Sequence, residues 1–327
     1  MVKPTSFAML SAVLVLGCGD DSSSSSGTPG GASCEPGSGC PSIQSECIAF
    51  ADNAGKDKFA LRISHLSVTQ PTALTDPTVA SLLAKGIFLN APSCTAATGD
   101  AIFTGDGTFS WIFEFDKTAG KLKTGGAKLE TDPSRGYCFV NETISGFPVA
   151  PFEVDVPVGA DGSFATQTTK AVTVPIYTNP GNAAQVILLP LRGVRIFDGK
   201  VSADNNCIGK YNGENLDPNN LCKEEAGAVP LFIDGAALEG HITLEEADAV
   251  LIPELNNRTL CWLLASNEHK DMSGKCTRDG SNKITFPGDW CTGATPDDPG
   301  SAGSCGDSVK LSATFAASGA TVRSDCP

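Results

Sequence analysis

Histidine is almost absent: the 327-residue chain has three, His65, His241 and His269. No His-Glu-x-x-His, Gly-x-Ser-x-Gly, Walker A or Gly-x-Gly-x-x-Gly stretch occurs, so the chemistries carried by those spacings have no support. A Ser-His-Asp site needs no linear motif and stays open. No Cys-x-x-Cys occurs either, which removes zinc-ribbon and thioredoxin-type readings. Basic residues are scarce, 23 against 37 acidic, a formal charge of −14. A chain this acidic has no bulk attraction for phosphate backbones, so nucleic acid is not an expected partner. Long apolar runs are missing too. The most apolar, Phe7 to Leu16, falls well short of the roughly 20 residues that cross a bilayer as a helix.

What is present begins with that run. Lys3 precedes it, which gives the charged and apolar regions of an export signal. The run ends at Val15-Leu16-Gly17-Cys18. These residues resemble the lipobox of bacterial lipoproteins: an aliphatic residue at −3, a small one at −1, cysteine at +1, with Leu16 bulkier than usual at −2. The resemblance covers residues 1–18 alone and implies that Cys18 becomes the mature N-terminus, bearing diacylglycerol and an amide-linked chain. Each buried CH₂ contributes about 0.8 kcal/mol, and two or more acyl chains make a stable membrane anchor. Removing residues 1–17 takes away only Lys3 among the charges and leaves 22 basic against 37 acidic, a formal −15. Gly19 is not the acidic +2 residue that signals retention in enteric bacteria, so the outer membrane is the expected destination. Residues 18–47 then read as a flexible tether. The Asp20 to Ser33 stretch is rich in serine and glycine and has no core-forming side chain to offset the entropy of ordering.

Cysteine is plentiful. Twelve remain after Cys18: Cys34, Cys40, Cys47, Cys94, Cys138, Cys207, Cys222, Cys261, Cys276, Cys291, Cys305 and Cys326. An even number in an exported chain reads as a disulfide framework, whose connectivity spacing alone does not fix. Cys207–Cys222 and Cys94–Cys138 are the expected short-loop pairs.

The 35 glycines and 21 prolines suit many short strands with turns between them. Period-two alternation marks 58–68, with a bulge near His65, and the hairpin 108–126, where Phe109, Trp111, Phe113 and Phe115 share a face. That aromatic row is read as a sheet's core face; a sugar-stacking platform is the alternative. Further strands are expected over 152–158, 171–177, 185–197, 228–234, 259–265, 282–288 and 308–316. Pro157, Pro175 and Pro190 mark sheet edges or bends. A short helix is expected over 75–86. Another should start at the capping box Thr243–Glu246 and run through Val250, limited by Pro253. Together these predict an all-β, disulfide-rich sandwich or barrel-like fold with one or two short helices, residues 48–327 forming one ectodomain or dividing near residue 200.

Candidate sites are few. The polar loop 203–220 offers Asp204, Asn206, Asn215 and Asp217 as oxygen ligands for calcium, the only cofactor the sequence suggests. The stretch 234–252 has an EF-hand's glycine and glutamate, but Gly235 and Ala237 stand where oxygen ligands belong, so it is not one. Trp262 and Trp290, each beside a cysteine, are expected to pack on disulfides. No residue pattern nominates a catalytic group. The expectation is a lipid-anchored envelope protein with a binding or structural role, its partner another envelope protein or a glycan. A hydrolase acting on polysaccharide is the alternative, recognisable by a concave site with converging carboxylates or a histidine–carboxylate pair.

Overall fold

The computed structural model describes residues 51–75, 109–130, 135–177, 179, 182–211, 216–217, 223–224 and 232–326. The all-β expectation holds. Nine strands make one antiparallel sheet: β1 (Lys58–Gln70), β2 (Trp111–Asp116), β3 (Lys121–Gly126), β4 (Phe152–Asp155), β5 (Lys170–Tyr177), β6 (Val186–Phe197), β7 (Cys207–Ile208), β8 (Ala236–Thr243) and β9 (Ser308–Ala320). The order across the sheet is β4-β3-β2-β1-β9-β8-β6-β5, and β7 pairs with β9 beyond the end of β8.

The final strand thus returns to the first, Ala60 opposite Ala320 and Gln70 opposite Ser312. The expected bulge is present: the register passes from Ile63↔Ala317 directly to His65↔Ala316, leaving Ser64 extra. One extra residue shifts the phase, so the inward side chains are Phe59, Leu61 and Ile63 before it and Leu66 and Val68 after it. The β2–β3 turn is closed by Asp116, whose carboxylate accepts the Ala119 amide at 2.8 Å, and by Gly120 at φ 64°.

The sheet curls into a half-barrel. Its ends approach where Gly126 meets β5; a Cβ at Gly126 would lie 2.5 Å from Pro175 Cγ. The prolines fall where the sequence places them. Pro175 lies in terminal strand β5, and Pro157 follows terminal strand β4. Pro190 lies in the half of β6 that pairs with β5 alone, because β8 meets β6 only from Arg192 to Phe197. Inside the curl, Phe113 stacks on Phe315 and Phe59 on Phe115, both at 5.2 Å.

Two stapled segments cover the outer face. Residues 127–130 and 135–140 and the C-terminal tail lie over β1 and β2, where Tyr137 and Phe139 pack with Ala60, Ile112 and Ala320. Arg62 is buried there, 5.1 Å from the Tyr137 ring centre, donating to Ser110 Oγ at 2.9 Å and the Phe109 carbonyl at 3.2 Å. Tyr137 donates to the Thr321 carbonyl and Arg323 to that of Tyr137. This pairing brings Cys138 to Cys326, with Cα atoms 5.5 Å apart, and corrects the expected Cys94–Cys138 bridge. Residues 289–307 cover β6, β8 and β9, stapled by Cys291–Cys305. A third bridge joins Cys261 and Cys276. Cys207 is disulfide-bonded to a partner outside the described residues, where Cys18, Cys34, Cys40, Cys47, Cys94 and Cys222 also lie.

Three helices are described: α1 (Thr72–Thr75), α2 (Leu244–Ala247) and α3 (Leu260–Leu264). The helix expected over 75–86 falls largely outside the described residues. The Thr243–Glu246 capping box forms as expected, but α2 ends at Ala247 instead of reaching Val250. Its C-cap residue, Asp248, is held by side-chain bonds to Thr259 and Arg278. The expected strand 259–265 is instead α3, because Thr259 caps it by accepting the Trp262 amide at 3.1 Å. The expected strand 282–288 shrinks to one bridge between Arg278 and Ile284.

Candidate functional site

The half-barrel encloses an apolar cavity of about 190 Å³. Its walls are inward side chains from β1, β2, β5, β6, β8 and β9, among them Leu66, Trp111, Val174 and Ala313. Leu74 of α1, Thr124 of β3 and Phe152 of β4 also line it, and the segment after β8 adds Val250, Ile252, Leu260 and Leu263. Two polar anchors fix that segment. Arg192 of β6 grips the Glu246 carboxylate with Nε at 3.0 Å and Nη2 at 2.7 Å. Asp248, almost fully buried, accepts from Thr259 Oγ1 at 3.0 Å, the Cys276 amide at 3.0 Å and Arg278 at 2.8 Å. Burial pushes Glu246 up, yet the bonds from Arg192 and Thr243 outweigh it and hold the carboxyl below its ordinary value.

The polar side chains deep in the cavity wall are already paired. Trp111 Nε1 donates to Thr124 Oγ1 at 2.7 Å, and that hydroxyl donates to the Ile112 carbonyl at 2.7 Å. At one end Gln70 and Ser312 face each other across β1 and β9, with Ser312 Oγ donating to Gln70 Oε1 at 3.1 Å. Gln70 is exposed, so this pair marks a mouth. No charged side chain among the described residues lines the space. Closed apolar cavities of similar size accept small hydrocarbons.

The sequence-derived candidates map elsewhere. Phe109, Trp111, Phe113 and Phe115 are buried (6%, 9%, 1% and 0% exposed), which supports the core face and excludes an open stacking platform. Of the proposed calcium ligands, Asn215 and the Asp217 side chain lie outside the described residues. Asp204 caps its own turn, accepting from Ser202 Oγ and from the Asn206 amide and side chain. Asn206 Oδ1 in turn accepts the Asn53 amide at 2.7 Å. Gly240 sits inside β8, with Glu239 paired to Arg195 and Lys310, so no EF-hand loop forms. The indoles lie near cations: Trp262 is 4.0 Å from the Arg258 guanidinium and 4.4 Å from Lys270 Nζ, and Trp290 is 4.8 Å from Lys310 Nζ.

A histidine–carboxylate pair exists, His65 Nδ1 to Asp234 Oδ1 at 2.8 Å, with Thr314 bonded to the other oxygen. It stands on the opposite face of β1 from the cavity residue Leu66, because neighbours along a strand point apart. His241 is fully buried, and its Nδ1 has no hydrogen-bond partner. Burial, and then Arg192, holds its imidazole below the ordinary value against the pull of Glu246, Asp307 and Asp298. Asp248, Cys261 and Cys276 have the spacing of a three-ligand metal group. The two sulfurs are bonded to each other, and the carboxylate is fully engaged, so the donor set does not fit a metal ion. Sequence reasoning missed the cavity itself, for which no motif exists. No protein-family model, curated protein or solved structure matches the chain.

Proposed function

We propose that this is a lipid-anchored envelope protein that binds an apolar ligand inside its half-barrel. The observation that carries the reading is a cavity of about 190 Å³ lined by no charged side chain among the described residues, with its deep polar groups, Trp111 and Thr124, satisfied internally. Acid–base chemistry needs a charged or titratable side chain within reach of the substrate, and none lines this space among the described residues. At about 30 Å³ for each methylene-sized group, the volume holds roughly six of them. Burying six contributes about 5 kcal/mol before the losses of association. That scale suits a small apolar molecule or the end of a longer chain.

The anchor belongs to the same reading: acyl chains on Cys18 and a serine-rich tether keep the binding unit close to the bilayer, where apolar ligands collect. Two measurements test it. Benzene vapour should raise the melting temperature of the purified full chain, since a ligand that binds only the folded state stabilises it. Palmitate labelling in a bacterial host should be lost in Cys18→Ala. No benzene shift, together with no lipid in an organic extract of the protein, removes the ligand-binding reading. Labelling that survives Cys18→Ala removes the anchor.

A further inference from the structure

We infer that the cavity selects an uncharged lipid, a hydrocarbon with at most one hydroxyl or ester group, held with that group at the Gln70–Ser312 mouth. This rests on the ligand-binding reading above and names its ligand class. Among the described residues no lysine, arginine, histidine, aspartate or glutamate lines the cavity. The two polar side chains deep inside, Trp111 and Thr124, are consumed by each other and by the Ile112 carbonyl. A carboxylate or phosphate drawn inward would lose its hydration and meet no cation, a state that charged groups avoid.

The mouth supplies the opposite. Gln70 and Ser312 are register partners, so the sheet itself fixes their separation. Ser312 uses its proton on Gln70 Oε1. The Gln70 Nε2 group has no hydrogen-bond partner among the described residues, and it carries two N–H donors. These fit an alcohol or ester oxygen. An alcohol gives up few bonds to water here and regains one. The cations nearest Ser312, Lys310 two residues along β9 and Arg195 of β6, are held by Glu239, which stands opposite Ser312 on β8, so a carboxylate at the mouth gains no free counter-charge.

Trp111 is the only one of the three tryptophans that lines the cavity, so a bromine on an alkyl chain reports entry by quenching it. The probes are an ω-bromo fatty alcohol, the matching carboxylate and the matching bromoalkane, added to the purified full chain where the acid is ionised. The alcohol should half-saturate at about a tenfold lower concentration than the carboxylate. Gln70→Ala, an exposed change, should weaken the alcohol about fivefold and leave the bromoalkane unmoved. Gln70→Lys should tighten the carboxylate. A carboxylate that binds as well as the alcohol overturns the inference while ligand binding stands. Unchanged binding in both Gln70 variants overturns the assignment of the mouth. Failure of all three probes to quench overturns the ligand-binding reading and this inference with it.

Discussion

Ala313→Leu separates an empty cavity from a packed core, because the two give stability changes of opposite sign. Ala313 lies in β9 with Val68 opposite on β1 and Leu238 opposite on β8, and its methyl group lines the cavity. Leucine adds three carbon atoms. At about 0.8 kcal/mol each they contribute about 2.4 kcal/mol, and ordering the longer side chain costs about 0.5–1 kcal/mol. The net is a stabilisation of about 1.5–2 kcal/mol. A second route agrees. Three carbons fill about 80–90 Å³ of the space, and at about 24 cal/mol per Å³ this is worth about 2 kcal/mol. For a protein of this size the melting temperature should rise by about 3 °C. The same variant should lose quenching of Trp111 by a bromoalkane, since half of the 190 Å³ is gone. The measurements are calorimetry without ligand and tryptophan fluorescence with it. In a core already packed, the substitution would instead cost about 1–3 kcal/mol. A fall in melting temperature therefore refutes the cavity. A rise with bromoalkane binding intact refutes the cavity as the binding site.

Three further outcomes follow from the same contacts. His241 binds its proton less readily when folded than the ordinary imidazole does, so below about pH 6.5 the unfolded chain gains a proton that the folded one resists, and stability falls as pH drops from about 7 toward 5. His241→Phe should flatten that part of a denaturation-versus-pH curve, and an unchanged slope contradicts the assignment. Removing the Cys138–Cys326 bridge, which closes 188 residues, should cost more than removing Cys291–Cys305, which closes 14: about 5 against about 3 kcal/mol from loop entropy, read from chemical denaturation of the two double-serine variants. The reverse order would place the staple's worth elsewhere. Asp248→Ala leaves Arg278, Thr259 and the Cys276 amide without their shared acceptor and should destabilise by about 3–5 kcal/mol, with Asp248→Asn costing less; equal losses would show that charge alone holds the site.

The parts of the fold that were legible are those with a local cause. Alternation in 58–68 and 308–316 marked the two central strands, and the Ser64 bulge showed as a slip of phase at His65 and Leu66. The Thr243–Glu246 box announced its helix because both partners lie within one turn. Where the cause was a distant contact, the reading failed. Leu-Cys-Trp-Leu-Leu is apolar enough for strand or helix, and short apolar runs do not decide between them. Thr259 as an N-cap was the available signal. Cys138 finds Cys326 only because the C-terminal tail crosses the outer face beside Tyr137, a path that spacing along the chain does not contain.

The candidate site is illegible for a deeper reason. Trp111 and Phe113 alternate inward in the same way whether their neighbours are other side chains or empty space. The void arises from the radius of the curl, set by register along β1 and β9 and by the close approach of Gly126 to Pro175. Those quantities belong to the closed sheet and to no single strand. Chemistry at a site announces itself through residue types that are costly to bury. A site for an apolar ligand uses the residue types of an ordinary core, so its sequence is silent and its geometry carries the information. The sequence does bear one trace: Gln70 is a polar residue closing β1 beyond Leu66 and Val68, and the sheet register sets Ser312 of β9 opposite it at the mouth.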